Sequence, residues 1–173
     1  MSLKKLSLII FLVLCVVYVL QGIYYYPQLP EKFASHFGPS GQPDAWSTKS
    51  SFIMIYFFVG GIIAIIFLII SFGMSKIPVS KFNLLNKDYW LSKERKQETF
   101  DFMFHYILWL ASATLLLLLS IFYKSFQVKI GKASALTHTI LIHGLFIGFT
   151  IIWCIGFYIK FRKSDNSQPG HLQ

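Results

Sequence analysis

Apolar and polar positions alternate along this chain on a coarse scale. Four long apolar runs, at about 6–26, 52–72, 102–123 and 137–161, are separated by short polar connections. Each run can cross a hydrocarbon core of ~30 Å at ~1.5 Å per residue. Lipid offers no partner to a backbone N–H or C=O, so each run is read as a helix that satisfies its own backbone. The alternating ten-residue segments of a membrane β-barrel are absent. The pattern predicts an all-α protein, an integral membrane four-helix bundle, with residues 1–162 as one transmembrane domain. The connections are an outer loop over 27–51, an inner loop over 73–101 and a shorter outer loop over 124–136. The tail, 163–173, has nothing to bury and is expected to be disordered.

Composition fits this class. The chain is 55% hydrophobic and 13% charged, with mean hydropathy +0.59, too apolar for a soluble domain of 173 residues. The first run follows Lys4 and Lys5, as a secretory signal would. No small-x-small cleavage site comes after it; the chain continues QGIYYYPQLP, so a retained helix is expected. Bulky Leu14 before Cys15 does not suit a lipoprotein.

Lysine and arginine set the expected orientation. With the N-terminus inside, the inner side holds Lys4, Lys5, Lys76, Lys81, Lys87, Lys93, Arg95, Lys96, Lys160, Arg162 and Lys163. The outer side holds only Lys32, Lys49, Lys124, Lys129 and Lys132. Both termini are therefore expected in the cytoplasm. The net charge of +9 is then topogenic charge facing anionic lipid headgroups, with the bilayer itself as partner. No soluble basic domain exists to present it to nucleic acid. Cys15 and Cys154 lie inside spans, with no CxxC partner. Tyr24, Tyr25, Tyr26, Trp46, Trp90, Tyr123 and Tyr158 gather at run ends, as an interfacial aromatic belt does.

The connections carry finer signals. In the outer loop, Tyr26-Pro27 and Leu29-Pro30 favour extended or turn geometry before each proline. GPSGQPD forces tight reversals. Leu29, Phe33 and Phe37 recur every four residues, which predicts one helical turn resting on the interface. In the inner loop, Pro78 and the Asn-Lys and Lys-Asp pairs interrupt any period. From Ser92, LSKERKQETFDFMF contains helix formers throughout. Ser92 is the candidate N-cap and Glu94 sits in the first turn, so the third helix should begin about two turns before lipid. Arg95 and Glu98, and Asp101 and His105, share helix faces. Gly60 and Ala64, and Gly144, Gly148 and Gly156, form small-residue stripes that let helices approach closely in lipid.

The outer loop also carries a resemblance. The pattern formed by Tyr26, Pro27, Leu29, Pro30, His36, Phe37, Gly41, Asp44, Trp46 and Lys49 resembles the signature of a bacterial membrane domain of unknown function. That domain also forms the N-terminal part of SdpI-like immunity proteins, which protect a cell from its own sporulation-delaying toxin. The inner segment NLLNKDYWLSKER, with Asn83, Asn86, Lys87, Tyr89 and Trp90, is similar to a motif of four-helix relatives, which often have proline where Leu85 stands here. The immunity proteins resemble a longer, six-helix architecture. The resemblance implies the bacterial cytoplasmic membrane and a secreted peptide as partner, and it brings no catalytic residues.

Candidate chemistry is sparse. His36 and Asp44 are the loop side chains most able to bind a ligand, beside Trp46. His138 and His143 of the last run are five apart and diverge by about 140° around a helix, a poor spacing for a shared metal. His143 is the ionisable group set well inside a span, and such groups are functional candidates. No metal or cofactor is expected. The HExxH, GxSxG and P-loop patterns are absent, which argues against an enzyme. The leading expectation is a non-enzymatic protein that recognises a peptide or small ligand through its outer loop. A small transporter or accessory subunit with a polar pathway near His143 is the alternative. A structural partner of another membrane protein is a third reading. Tyr89 and Trp90 are expected at the inner interface, fixing where the third helix starts, while Lys87 meets lipid phosphate; a docking site for a cytoplasmic protein is the rival reading.

Overall fold

Serine at position 2 starts the first helix. Its hydroxyl accepts from the Lys5 amide at 3.4 Å, capping α1, Leu3–Tyr25. Pro27 then ends the α-helix in a single 3-10 turn, Tyr26–Gln28, and Leu29 leaves it extended ahead of Pro30. The structure is a computed structural model that describes residues 2–37, 43–133 and 139–162, without the side chains of residues 36, 37, 43, 44 and 139.

The segment after Pro30 is not the helical turn expected from Leu29, Phe33 and Phe37. It is a strand, β1, Lys32–Phe37, paired antiparallel with β2, Pro43–Thr48. Leu29 and Phe33 are both buried, so their apolar spacing was a packing signal, but Leu29 reaches the core from the extended link and Phe33 from the inner face of the strand. Phe33 pairs with Ser47 and Ala34 with Trp46, so Trp46 lies on the opposite face from Phe33. The register slips at Ser35 on β1 and again at Asp44 on β2.

Thr48 closes the hairpin and caps α2, Lys49–Gly73, by accepting from the Ser51 amide at 3.2 Å. Two 3-10 turns and a short helix, α3, Lys87–Trp90, fill most of the link to α4, Lys96–Lys129. Ser92 does not cap α4. It lies in a turn whose carbonyl accepts from the Arg95 and Lys96 amides, and the regular helix begins at Lys96. The carboxyl of Glu94 in that turn is held below its ordinary range by its own backbone amide and the Ser92 hydroxyl. At 34 residues, α4 is ~51 Å long, well beyond a ~30 Å hydrocarbon core. It ends at Gly131, whose φ of 77° allows the Lys132 amide to reach the Gln127 carbonyl at 2.9 Å. The last helix is α5, Thr139–Arg162.

Among the described residues, four helices are long and apolar enough to cross a membrane and two strands form a small hairpin, so the chain is an all-α membrane helical bundle. Helix α4 is its centre, with α1, α2 and α5 each packed on it. Three apolar clusters follow one another along α4. Tyr18, Tyr56, Leu119 and Phe126 lie near the hairpin, Phe11, Leu108 and Leu115 at mid-height, and Met74, Trp90, Phe100 and Phe161 at the far end. Helix α5 packs mainly on α4, and between Ile140 and Arg162 only Phe161 is buried. Its remaining apolar surface, with that of α1 and α2, is left for lipid.

The glycines separate into two kinds. A Cβ on Gly60 would stand 2.2 Å from the Tyr18 ring, one on Gly22 2.7 Å from the Tyr56 and Phe57 rings, and one on Gly156 2.7 Å from the Tyr106 hydroxyl. Gly144 and Gly148 have nothing near them, so the α5 stripe serves close packing only at Gly156.

Candidate functional site

The hairpin is the most elaborated polar feature of the chain, and the helices beneath it hold it in place. Phe33 turns inward and meets the Phe52 ring edge-on, with centroids 5.6 Å apart. Lys129, from the end of α4, sets its ammonium over both rings, 4.3 Å from the Phe33 centroid and 4.8 Å from that of Phe52. Such a cation between aromatic faces ties α4, β1 and α2 together. Leu29 is buried beside Tyr25, and the Gln127 amide donates to the Tyr25 hydroxyl at 3.1 Å. At the base, the Lys49 amide donates to the Glu31 carbonyl at 3.2 Å, and the Lys49 ammonium pairs with the Glu31 carboxylate at 2.6 Å. The same ammonium lies 5.3 Å from the Tyr26 ring. Tyr26 and Lys49, the two ends of the loop pattern, are thereby brought together.

Trp46 is the exception to this fastening. It is 65% exposed, on the hairpin face that carries Lys32, Ala34 and Thr48. His36, Phe37 and Asp44 have strand backbone, and their side chains lie outside the described residues, as do Gly41 and His138. His143 is exposed on α5, which packs mainly on α4. The groove beside it, between α4 and α5, has a volume of about 360 Å³ and is lined by Leu116, Leu117, Leu145, Phe146 and other apolar residues. The Ser120 hydroxyl in that groove donates to the Leu116 carbonyl of its own helix. Among the described residues, no three His, Cys, Asp or Glu side chains gather as a metal site would need.

Beneath the hairpin, α1 and α2 clasp each other through two tyrosines. The Tyr18 hydroxyl donates to the Tyr56 carbonyl at 2.8 Å, and the Tyr56 hydroxyl donates back to the Tyr18 carbonyl. The rings stack at 4.2 Å, each against the glycine four residues beyond the other tyrosine. Gln21 extends the network by donating to the Leu119 carbonyl of α4 at 3.1 Å. A similar exchange joins α4 to α5. There the Tyr106 hydroxyl donates to the Trp153 carbonyl at 2.8 Å, and the Trp153 indole N–H to the Tyr106 carbonyl at 3.2 Å.

At the far end, the inner-loop motif has a role other than the expected one. Trp90 is only 9% exposed and packs among Met74, Phe100 and Phe161, so it is a core residue and not a ring at the lipid interface. Its indole N–H donates to the Phe161 carbonyl at 3.2 Å, and the Asn86 amide donates to the Phe161 and Arg162 carbonyls at 3.1 and 3.0 Å. The last carbonyls of a helix lack intrahelical donors, so Asn86 and Trp90 act as a side-chain cap for α5. Asn86 takes a left-handed backbone, with φ 51°, to do this. Tyr89 accepts from the Arg95 guanidinium, which also covers its ring. Asn83 is exposed and Lys87 half-buried. Tyr25 is likewise buried and not part of an aromatic belt.

Asp101 and His105 share a face as expected, and Asp101 and Arg95 also find partners on other segments. Asp101 pairs with Lys4 of α1 at 2.6 Å, and His105 reaches the Asp101 backbone carbonyl at 2.8 Å, not its carboxylate. Arg95 engages Tyr89 and not Glu98. The sequence reading missed the tyrosine clasp, although a signal existed: tyrosine followed by glycine four residues later occurs in both α1 and α2, as Tyr18 and Gly22 and as Tyr56 and Gly60. It also missed Lys129, which has no signal in its local sequence.

Residues 10–60 match the model of a family described as a domain of unknown function, DUF1648. The matched stretch is under a third of the chain and takes in most of α1, the hairpin, the clasp and the first half of α2. No curated protein and no solved structure matches the chain.

Proposed function

We propose that this chain is a non-enzymatic bacterial membrane protein that recognises a peptide or other small ligand at the exposed face of its hairpin, in an SdpI-like immunity or sensing role. The observation that carries the reading is the contrast within the hairpin. Phe33, Lys129, Lys49 and Glu31 hold it down, yet Trp46 stands 65% exposed on its outward face. Ordering such a surface before binding lowers the entropic cost of the complex, and tryptophan is the side chain most enriched where binding energy concentrates. A two-stranded ribbon also leaves strand edges whose backbone groups can pair with an extended peptide. The Lys/Arg asymmetry supports a hairpin that faces outward, where a secreted peptide would arrive. The apolar groove beside α5 gives the transport alternative no comparable support.

The test is a deletion strain challenged with the peptide fraction secreted by its own species. Wild-type chain is expected to restore growth. A Trp46→Ala chain, made in equal amount, is expected to lose at least about tenfold in protection, the loss of one binding hot spot. Equal sensitivity of the deletion and wild-type strains contradicts the reading.

A further inference from the structure

At the end away from the hairpin, a cavity of about 310 Å³ opens between the start of α1, the first turns of α4 and the end of α5. Its floor is aromatic, formed by Trp90, Phe102 and Phe161. Its charged lining is only partly neutralised. Lys4 and Asp101 pair with each other at 2.6 Å. Lys160 is different: its ammonium lies 4.7 Å from the Trp90 ring and 5.3 Å from that of Phe102, and no carboxylate pairs with it among the described residues. Glu98 lines the same cavity, with no cation on its carboxylate among the described residues. His105 completes the set. Its Nδ1 lies 2.8 Å from the Asp101 backbone carbonyl, which can only accept, so Nδ1 carries the hydrogen and Nε2 of the neutral ring is an acceptor.

The cavity lining therefore includes a cationic donor, Lys160, and two acceptors for a donor-only group, Glu98 and His105 Nε2. A simple anion would satisfy Lys160 and be repelled by Glu98. A simple cation would do the reverse. We propose that this cavity binds a zwitterionic aminophosphate of the phosphoethanolamine type, with phosphate on Lys160 and the primary ammonium on Glu98 and His105. Charged hydrogen bonds of this kind are the strong ones. The cavity lies where the helices end, at Leu3 and Arg162, the level of phospholipid headgroups. The inference is independent of any ligand on the hairpin.

The experiment measures binding to purified full-length chain by native mass spectrometry, with three probes. These are phosphatidylethanolamine, phosphatidylglycerol (phosphate without amine) and soluble glycerophosphoethanolamine. Phosphatidylethanolamine is expected to be retained over phosphatidylglycerol. Lys160→Gln should weaken it about tenfold, the loss of one charged hydrogen bond, while Lys160→Arg retains it. Glu98→Gln should remove the preference over phosphatidylglycerol. Binding of glycerophosphoethanolamine as strong as that of the lipid assigns the site to a soluble ligand of the same chemistry; its failure to bind assigns it to the bilayer. Equal retention of both lipids by wild-type chain overturns the proposal. So does a Lys160→Gln chain with lower thermal stability but unchanged lipid retention, which would make Lys160 a packing residue.

Discussion

Tyr18 and Tyr56 each donate a hydroxyl hydrogen to the other's backbone carbonyl, across stacked rings whose planes differ by 5°. The exchange works because each ring lies where the neighbouring helix has glycine. It relates α1 and α2 by an approximate two-fold rotation and sits directly beneath the hairpin that connects them. The family match covers both tyrosines and both glycines.

Substituting these glycines tests the clasp. Gly60→Ala places a methyl 2.2 Å from the stacked Tyr18 ring, which cannot move without losing the hydrogen bond from its hydroxyl to the Tyr56 carbonyl. It is expected to cost about 1–3 kcal/mol, the usual penalty of overpacking. Gly61→Ala, where nothing lies within 4 Å, should change stability by less than ~0.5 kcal/mol. Thermal unfolding of the two variants in one detergent measures the difference.

Lys129 is expected to hold the hairpin and not the bundle. Lys129→Met removes the cation from Phe33 and Phe52 and should loosen the hairpin by about 0.5–2 kcal/mol. Hydrogen exchange over Lys32–Phe37 should quicken, while α1 and α2 keep their protection. Lys132→Met, at an exposed lysine, is the control and should leave the hairpin unchanged.

The cap on α5 makes a graded prediction. Asn86→Ala loses both hydrogen bonds and forces a Cβ residue without a polar side chain into left-handed backbone. Asn86→Gly loses the same bonds but relieves the backbone. Both should destabilise the protein, alanine by about 1 kcal/mol more. Glycine equal to or better than wild type would mean that the side chain caps nothing.

The large features were legible because they follow from the solvent. A helix in lipid must be long and continuously apolar, and four such runs stand out in the sequence. The hairpin was not legible as a hairpin, because Leu29, Phe33 and Phe37 are spaced as on a helix while the pairing of Ala34 with Trp46 is a relation between separate segments. Trp90 was misplaced for a related reason. Tryptophan near a helix boundary suits a lipid interface or a buried cap equally well, and only the return of α5 to the inner loop decides between them. Trp46 was named from the loop pattern as a residue that could meet a ligand, and its side chain is 65% exposed on the hairpin. Lys129 and Lys4 carry contacts across long sequence separations, which no local pattern encodes.

The orientation proposed from the lysine and arginine distribution has a direct check. In a chain whose own cysteines are replaced by serine, Ala45→Cys on the hairpin should react with an impermeant maleimide added to intact cells. Ser80→Cys, exposed in the link between α2 and α4, should react only after the cells are opened. The reverse pattern would place the hairpin inside.

Recognition at the hairpin can be read by placing a photo-crosslinking phenylalanine at position 46 in living cells supplied with the secreted peptide fraction of their own species. A peptide-sized adduct at position 46, competed away by excess unlabelled peptide, is the expected result. The same probe at position 65, on the exposed apolar side of α2, should give none. Adducts of lipid alone at position 46, or the same adducts at both positions, would contradict recognition at the hairpin and leave Trp46 as a membrane anchor.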